Sequence, residues 1–250
     1  MSRIEEQLSP KQREIRAREE NILEVAREMF FDGGYYNLTM GKIAQRINCA
    51  KGTVYLHFPC KEDIILTLAE RAHEARYAMF QRAMAFEGRS RERMLAFALA
   101  AEYFARLYPG DIQIIRTITR SFRAKVSAER EKRFEEVEQR VLNYILQMVS
   151  QGVAEGDLVL KPGMSAGSIV WGLWAMDDGG HGIILSGVSL EGLGIEDAWG
   201  LLTAFLNKIS DSVDWQPLST QWDYSASLDR IKRETFSEEA RALGELPLED

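Results

Sequence analysis

Cysteine, histidine and long apolar runs are scarce in this chain. Its 250 residues include two cysteines and three histidines, and neither the number nor the spacing of Cys49 and Cys60 suits a disulfide framework or a zinc site. This cysteine usage fits a reducing compartment. The chain has no apolar run long enough to cross a bilayer, and Met1–Pro10 is polar, unlike a secretory signal peptide. We therefore expect a cytoplasmic protein that does not span a membrane.

The residue patterns of enzymes are also missing. We find no nucleophile–base arrangement, no glycine-rich phosphate loop after a strand and no histidine-rich metal motif. The one polar cluster is Asp177, Asp178 and His181, in which Asp177 and His181 are spaced to share a helix face. Two ligands on one helix, without a second cluster, make a poor metal site, which leaves a ligand contact, a helix cap or an interface hydrogen bond. The chain is predicted to have no catalytic site, metal or cofactor.

The negative charge of the chain is unevenly distributed. The formal net charge is −7, yet residues 11–61 hold nine Lys or Arg against six Asp or Glu, whereas residues 62–250 hold 21 against 30. A basic N-terminal region on an acidic body favours local contact with phosphates and suppresses indiscriminate binding. Four basic residues begin this region, either as an arm that reaches adjacent phosphates or as a solvated helix start: Lys11, Arg13, Arg16 and Arg18.

The segment from Leu38 to Lys61 contains two short helical patterns joined by a turn. A first helix is predicted after Thr39, a good N-cap. Its apolar residues share one face at helical spacing: Met40, Ile43, Ala44 and Ile47. In the turn, Asn48 tolerates the left-handed backbone that re-aims the chain. A second helix begins near Ala50 and is stopped by Pro59.

This arrangement predicts a helix-turn-helix, in which the second helix enters the major groove of DNA. The donors of its phosphate contacts would be Thr53, Tyr55, His57 and Lys61, because hydroxyl, imidazole and ammonium groups all donate to phosphate oxygens. A single Tyr or His on a helix is ordinarily a packed amphipathic side chain. The register of the whole motif favours DNA contact.

The motif resembles that of a known family, the TetR-type (TetR/AcrR) transcriptional regulators, over residues 16–70. The matching residues are Phe30, Gly34, Leu38-Thr39-Met40, Ile43-Ala44, Lys51-Gly52-Thr53-Val54-Tyr55, His57-Phe58 and Lys61-Glu62. The resemblance implies an all-α fold, with an N-terminal three-helix helix-turn-helix domain and a larger helical-bundle domain for ligand binding and dimerisation.

The resemblance also implies roles for single residues. It places Lys51 and Thr53 at groove contacts and Gly52 where the backbone approaches DNA closely. Phosphate contacts fall to Thr39, Tyr55, His57 and Lys61. The chain departs from the family at Cys49, usually a small aliphatic residue, and at Ala50, often Ser, so a cap and a phosphate donor are missing and docking leans on Lys51. The predicted DNA-binding set is Thr39, Lys42, Ala50, Lys51, Gly52, Thr53, Tyr55, His57 and Lys61.

Helical spacing continues along the rest of the chain, and no strand pattern appears. Besides the two short helices, we predict helices over residues 12–31, 61–86, 91–107, 111–125, 127–154, 162–185 and 195–213, and one more over 219–243. The predicted domains are a basic, polar N-terminal arm (1–15), a helix-turn-helix domain (16–70), an effector-binding and dimerisation domain (71–214) and a partly helical C-terminal tail (215–250).

Two features of the second predicted domain point to partners. The helices at about 165–185 and 195–213 are apolar on most faces, so they are candidates for a two-fold, four-helix homodimer interface, which the resemblance also implies. Aromatic and polar residues between the helices either line an effector pocket or belong to an ordinary core. The candidate effector-binding residues are Phe97, Tyr103, Phe104, Phe122, Trp171, Trp174, Asp178 and His181.

The sequence thus predicts a DNA-binding transcriptional regulator. The leading interpretation is a dimeric repressor that leaves a palindromic operator on double-stranded DNA when a small, mostly apolar effector binds. The alternative is a dimeric DNA-binding regulator without an effector, acting through a protein partner.

Overall fold

A computed structural model describes residues 9–247, and all the regular secondary structure within that range is helical. The predicted all-α class is confirmed. No helix within these residues is both long enough and apolar enough to span a membrane.

The helices, in chain order, set the frame for the functional residues. The described residues form α1 (Pro10–Asn37), α2 (Met40–Arg46), α3 (Lys51–His57), α4 (Lys61–Met84), α5 (Ser90–Leu107), α6 (Pro109–Thr117), α7 (Arg120–Arg123), α8 (Ala128–Ala154), α9 (Ala166–Leu185), α10 (Ala198–Ser212), α11 (Tyr224–Glu234) and α12 (Ser237–Ala242). A 3-10 turn, Glu191–Leu193, lies between α9 and α10.

The chain divides into two compact units. The first contains the residues up to His73 together with Gly110–Val137, and the second contains Glu74–Pro109 together with the residues from Glu138 onward. Residues 110–137 therefore group with the predicted helix-turn-helix domain, although the sequence pattern assigns them to the second domain.

The first unit is built around the apolar faces of α1 to α4. Ile22, Ile43, Val54 and Ile64, one from each helix, are fully buried in a single core. The Thr39 hydroxyl caps α2 by accepting from the backbone N–H of Lys42 at 3.3 Å. Burial on one face fixes α2 and α3 and leaves their opposite faces in water.

Two backbone positions turn the chain between these helices. Gly34 interrupts α1 with a φ of 68°, three residues beyond the predicted end of that helix at residue 31. Asn48 has a φ of 52° in the turn between α2 and α3, as the sequence predicts, because Asn adopts this region more readily than most residues.

The single helix predicted over 111–125 is wrong. The structure divides it into α6 and α7 at Ile118 and Thr119, and the Thr119 hydroxyl caps α7 by accepting from the backbone N–H of Phe122 at 3.3 Å. A run of β-branched residues has weaker helix propensity than the pattern assumes, and a capping Thr starts a new helix instead.

Caps also shorten the other predicted helices. Ser165 caps α9, so the helix begins after it and not at Pro162. Asp197 caps α10, and its carboxylate accepts from the backbone N–H of Gly200 at 2.9 Å. The helix predicted over 219–243 is two helices, α11 and α12, separated at Thr235 and Phe236.

The C-terminal segment is packed in the second unit and does not trail from it. Trp215 is fully buried, and its indole N–H donates to Ser90 Oγ at 2.9 Å. Arg91, also fully buried, donates to the carbonyl oxygens of Trp215, Pro217 and Asn207 at 2.7, 2.8 and 2.8 Å. These bonds anchor the segment on the first turn of α5.

Candidate nucleic-acid interface and internal cavity

Helix α3 presents an exposed polar face. Val54 is fully buried and anchors the helix, whereas Lys51, Gly52 and Tyr55 are exposed and Thr53 is half-buried. The Lys51 ammonium lies 5.6 Å from the centre of the Tyr55 ring, so a cation and a hydroxyl-bearing ring share this face. Such a face has the donors that base edges and phosphates require.

The start of α3 lacks a side-chain cap. Ala50 takes the N-cap position with an extended backbone but makes no side-chain hydrogen bond to the helix. The first turn of α3 therefore receives no side-chain cap, and the backbone N–H of Thr53 instead donates to the backbone oxygen of Ala50 at 2.9 Å. This arrangement fits the prediction that docking leans on Lys51.

Helix α2 adds two exposed residues from the predicted set. Thr39 is exposed, although its hydroxyl already accepts the capping bond from Lys42. The Lys42 ammonium donates to the backbone oxygen of Asn37 at 3.3 Å and to its side-chain oxygen. The Thr39 hydroxyl can donate its hydrogen to a phosphate while it keeps the capping bond, and the bonds of the exposed Lys42 ammonium can be exchanged for a phosphate at little cost.

His57 and Lys61 are turned toward the protein. His57 Nδ1 lies 3.4 Å from the Glu19 carboxylate. Lys61 Nζ donates to the backbone oxygens of Tyr35 and Leu38 at 3.0 and 3.2 Å and lies 3.9 Å from the Tyr35 ring centre. Burial lowers the pKa of Lys61, with Lys125 lowering it further while Glu62 opposes the shift. These two predicted phosphate ligands thus have partners within the fold.

The basic residues near the N-terminus are helical. Lys11, Arg13 and Arg16 are exposed on α1, and Arg18 is half-buried there. The predicted arm, residues 1–15, is therefore helix from Pro10, and residues 1–8 lie outside the described part of the chain.

The second unit contains an apolar cavity with a polar end. About 50 Å³ of it is open to the centre of a water-sized sphere, several times the space that one water molecule needs. The charged residues in its wall are Arg76 of α4 and Asp177 of α9. The rest is apolar: Phe80, Met94, Phe97, Ala98, Ala101, Ile145, Met148, Leu173, Trp174 and Leu206.

Of the predicted effector-binding residues, Phe97 and Trp174 line this cavity. Phe122 instead lies in the core of the first unit, with its ring 5.6 Å from that of Tyr35. The others lie elsewhere in the second unit. Tyr103 and Phe104 are buried in α5, His181 is buried with Nδ1 3.6 Å from Asp177 Oδ2, and Trp171 and Asp178 are exposed.

Residues 22–68 match the family model described as bacterial regulatory proteins, tetR family. These residues form a TetR-type helix-turn-helix domain. The matched residues run from the second half of α1 to the first turns of α4, so they include the whole of the exposed α3 face.

Similar proteins resemble this chain over most of their own length. The fatty acid metabolism regulator protein of Bacillus subtilis (strain 168) is 24% identical over 181 residues, which cover 68% of this chain and 90% of that relative. A tetR-family regulatory protein from Rhodococcus RHA1 aligns with a TM-score of 0.60 at 15% identity, over 78% of this chain and 96% of its own. A regulator from Saccharomonospora viridis, solved in complex with choline, aligns with a TM-score of 0.61 at 18% identity, over the same shares.

The matched domain and the similar regulators indicate the general activity. This protein is a DNA-binding transcriptional regulator and not an enzyme. Within residues 9–247, no three His, Cys, Asp or Glu side chains are grouped so as to hold a metal ion.

The structure places at the candidate sites three residues that the predicted site sets omit. Leu56 has no place in the predicted DNA-binding set, yet it is 86% exposed on α3, where an apolar side chain can contact a thymine methyl group. Arg76 and Asp177 are likewise absent from the predicted effector set. An isolated Leu between Tyr55 and His57, on the side away from Val54, is the available sequence signal for the first. Asp177 belongs to the polar cluster with Asp178 and His181, for which a ligand contact is one of the predicted roles, whereas no local pattern marks Arg76.

Asp177 makes the stability of the second unit depend on pH. Burial raises the pKa of Asp177 to about 7, with Arg76 opposing and Asp178 and Glu102 assisting the shift. A carboxyl whose pKa is raised by folding favours the native state below its unfolded pKa, and that contribution is lost as the pH rises through about 7.

We therefore expect Asp177→Asn to gain stability relative to wild type as the pH rises, by roughly 1–3 kcal/mol between about pH 5 and pH 8. Urea unfolding at a series of pH values measures the difference. Asp229→Asn, at an exposed position of α11, is the matched control and should show no such trend. A constant difference between Asp177→Asn and wild type would contradict the proposed titration.

Proposed function

We propose that this protein is a homodimeric repressor that a small, mostly apolar effector releases from a palindromic operator. The observation that carries the proposal is the pairing, in one chain, of the exposed polar face of α3 with an apolar cavity in a separate unit. DNA binding explains the first feature, and effector control gives the second a role.

Each protomer would insert α3 into one major groove. A single helix of this length spans few base pairs. Two α3 helices separated by about 34–36 Å would contact successive major grooves on one side of the duplex. In this proposal Lys51, Thr53 and Tyr55 contact the groove and its phosphates, while Thr39 and Lys42 dock the protein on the backbone. Gly52 permits the close approach.

Exposed apolar side chains on α9 and α10 support the proposed dimer face. Trp171, for example, is 69% exposed. Its large apolar neighbours on α9, α10 and the intervening loop are also exposed: Trp174, Ile183, Val188, Leu193, Leu201 and Phe205. Exposed large apolar side chains in this number favour association. The homodimer would form through the helices at about 165–185 and 195–213.

The cavity indicates the class of effector. Its wall is largely aromatic, aliphatic and thioether, and methionines adapt their shape to a ligand. Arg76 and Asp177 both line that wall and interact electrostatically, which suits an apolar molecule with one polar group. The name of the relative from Bacillus subtilis, a fatty acid metabolism regulator, makes amphiphilic chains the first compounds to test.

The mechanism requires an effector that prefers one arrangement of the dimer. Helix α4 continues from the first unit into the second and carries Arg76 and Phe80 of the cavity wall. An effector that fits the cavity better when α4 is displaced would change the distance between the two α3 helices of the dimer, so that it no longer matches the operator. Its differential affinity for the two arrangements sets the limit of the response.

The test begins with selection of an operator from random DNA by the purified protein. Straight-chain amphiphiles of one length, ending in a hydroxyl, a carboxylate or an ammonium group, are then screened by thermal shift. A cavity ligand raises the melting temperature, and we expect the same compound to weaken operator binding. Ala98→Leu, which narrows the cavity, should lose both responses, whereas Ala154→Leu, at an exposed position of the same unit, should keep them.

Each step can fail separately. Enrichment of no DNA sequence would overturn the proposed repressor. A compound that raises the melting temperature but leaves operator affinity unchanged would overturn effector release and favour the alternative, a regulator that acts without a small molecule.

A further inference from the structure

Lys125, from the segment after α7, lies beside the start of α4. Its ammonium is 3.4 Å from the Tyr35 hydroxyl and 3.6 Å from the Glu62 carboxylate. It is also 5.8 Å from the centre of the Tyr35 ring, whose other cation, Lys61 Nζ, lies at 3.9 Å. Two ammonium groups far apart in sequence therefore share one aromatic ring at the edge of the first unit.

The backbone around Lys125 is held in this position. Phe122 is buried in the same core as Val54 and Phe58, so α7 packs against the core of the helix-turn-helix. The Cys60 thiol donates to the backbone oxygen of Lys125 at 3.8 Å. The location of the Lys125 ammonium is therefore set by the fold and does not depend on a free loop.

The two lysines differ in what their ammonium groups are bonded to. Lys61 donates to two backbone oxygens at the end of α1, and removing it would leave those acceptors unsatisfied. The Lys125 side chain is 55% exposed, so its ion pair with Glu62 is weak and exchangeable. Glu62 keeps the hydrogen bond from the Tyr35 hydroxyl if Lys125 turns away.

The sequence around Lys125 is basic in a body that is otherwise acidic. Residues 116–125 contain four Lys or Arg and no Asp or Glu. Arg123 packs over the Phe134 ring, with its guanidinium carbon 4.9 Å from the ring centre. Arg120, in contrast, is exposed at the start of α7. A second exposed cation thus stands five residues before Lys125.

We propose that Lys125 and Arg120 contact DNA phosphates and so extend the interface beyond α2 and α3. Lys125 would supply the exposed cation at the position that the sequence pattern assigns to Lys61. The inference rests on the proposed function, in which the side of the first unit that carries Lys61 faces DNA. Lys125 lies on the same side, because its ammonium and that of Lys61 share the Tyr35 ring. A phosphate oxygen would replace the Glu62 carboxylate as the partner of Lys125.

The test compares Lys125→Gln with Lys132→Gln on the selected operator. Lys132 is an exposed lysine of α8 in the same compact unit, so the two variants remove the same charge. We expect Lys125→Gln to bind roughly tenfold or more weakly at low salt. It should lower the slope of log affinity against log salt by about 0.9 for each phosphate that is no longer neutralised, hence by about two for a dimer. Lys132→Gln should match wild type.

Two further variants separate phosphate contact from a structural role. Lys125→Arg keeps the charge and should restore the salt slope, whereas a structural effect of Lys125→Gln would instead appear as a lowered melting temperature with an unchanged slope. Arg120→Gln should lower the slope again when combined with Lys125→Gln.

The outcomes distinguish this inference from the proposed function. If wild type selects an operator and Lys125→Gln has the slope and affinity of Lys132→Gln, the extended interface is wrong while the repressor stands. If wild type selects no DNA, the repressor fails first, and the extended interface fails with it.

Discussion

A Gly52→Leu variant should fold at least as stably as the wild type and yet lose operator binding by two orders of magnitude or more. Nothing lies within 4 Å of a Cβ built at Gly52, and its φ is not in the left-handed region. The fold therefore does not require glycine there. Glycine within a helix is disfavoured relative to other residues by roughly 0.5–1 kcal/mol, so its presence points to a need outside the protein.

The need we propose is close approach of the DNA to α3. A leucine side chain would stand beside Lys51 and Tyr55 and hold the groove away from the helix. Fluorescence anisotropy with the selected operator measures the loss, and thermal unfolding measures the stability. Gly52→Ala, with a single added methyl group, should show the same gain in stability and a smaller loss of affinity.

Gly41 of α2 provides the matched position, because a Cβ there also meets nothing within 4 Å. Gly41→Leu should gain stability and retain most of its operator affinity. Full binding by Gly52→Leu, or an equal loss in Gly41→Leu, would refute the idea that Gly52 is there for DNA.

Replacing Arg91 should produce the largest loss of stability of any single charge in the second unit. Its guanidinium donates to three backbone oxygens of the C-terminal half and forms an ion pair with Asp211 at 2.7 Å. It also lies 4.5 Å from the centre of the Tyr224 ring. Arg91→Met keeps much of the volume but removes a buried donor from the backbone oxygens of Trp215 and Asn207, while the Pro217 oxygen keeps only the bond from the Tyr224 hydroxyl. We expect the free energy of unfolding to fall by roughly 3–5 kcal/mol.

Urea unfolding provides the measurement, with Arg140→Met as the control. Arg140 also forms an ion pair, with Glu74, but both side chains are largely exposed, and surface pairs of this kind contribute at most about 1 kcal/mol. Hydrogen exchange should further show α11 and α12 losing protection in Arg91→Met before α5 does. Equal stability of the two variants would mean that the C-terminal segment is held by apolar packing alone.

These cases show what the sequence could and could not predict. Thr39, Asn48 and Pro59 act on the backbone next to them, so the helix-turn-helix and its boundaries were predictable from local pattern. Arg91 is different. It reads as an ordinary charged residue in the first turn of α5, and its partners lie more than a hundred residues away along the chain.

The candidate sites divide in the same way. The exposed face of α3 follows from helical spacing once Val54 is assigned to the core, so Lys51 and Tyr55 could be predicted. The TetR-type motif predicts a phosphate contact at Lys61. Its ammonium instead donates to the backbone oxygens of Tyr35 and Leu38, because the carbonyl oxygens at the end of α1 need a donor. The wall of the cavity is drawn from five helices, and spacing within one helix cannot bring Arg76 and Asp177 together.

The placement of tryptophan offers an optical reporter that requires no label. All five tryptophans follow residue 170 and belong to the second unit. Excitation at a wavelength that only tryptophan absorbs therefore gives no emission from the helix-turn-helix. Trp171 and Trp174 are exposed, whereas Trp215 is fully buried. Subunit association or cavity occupation should therefore shift emission from the first pair toward the blue, and the emission from Trp215 should change only when its surroundings unfold.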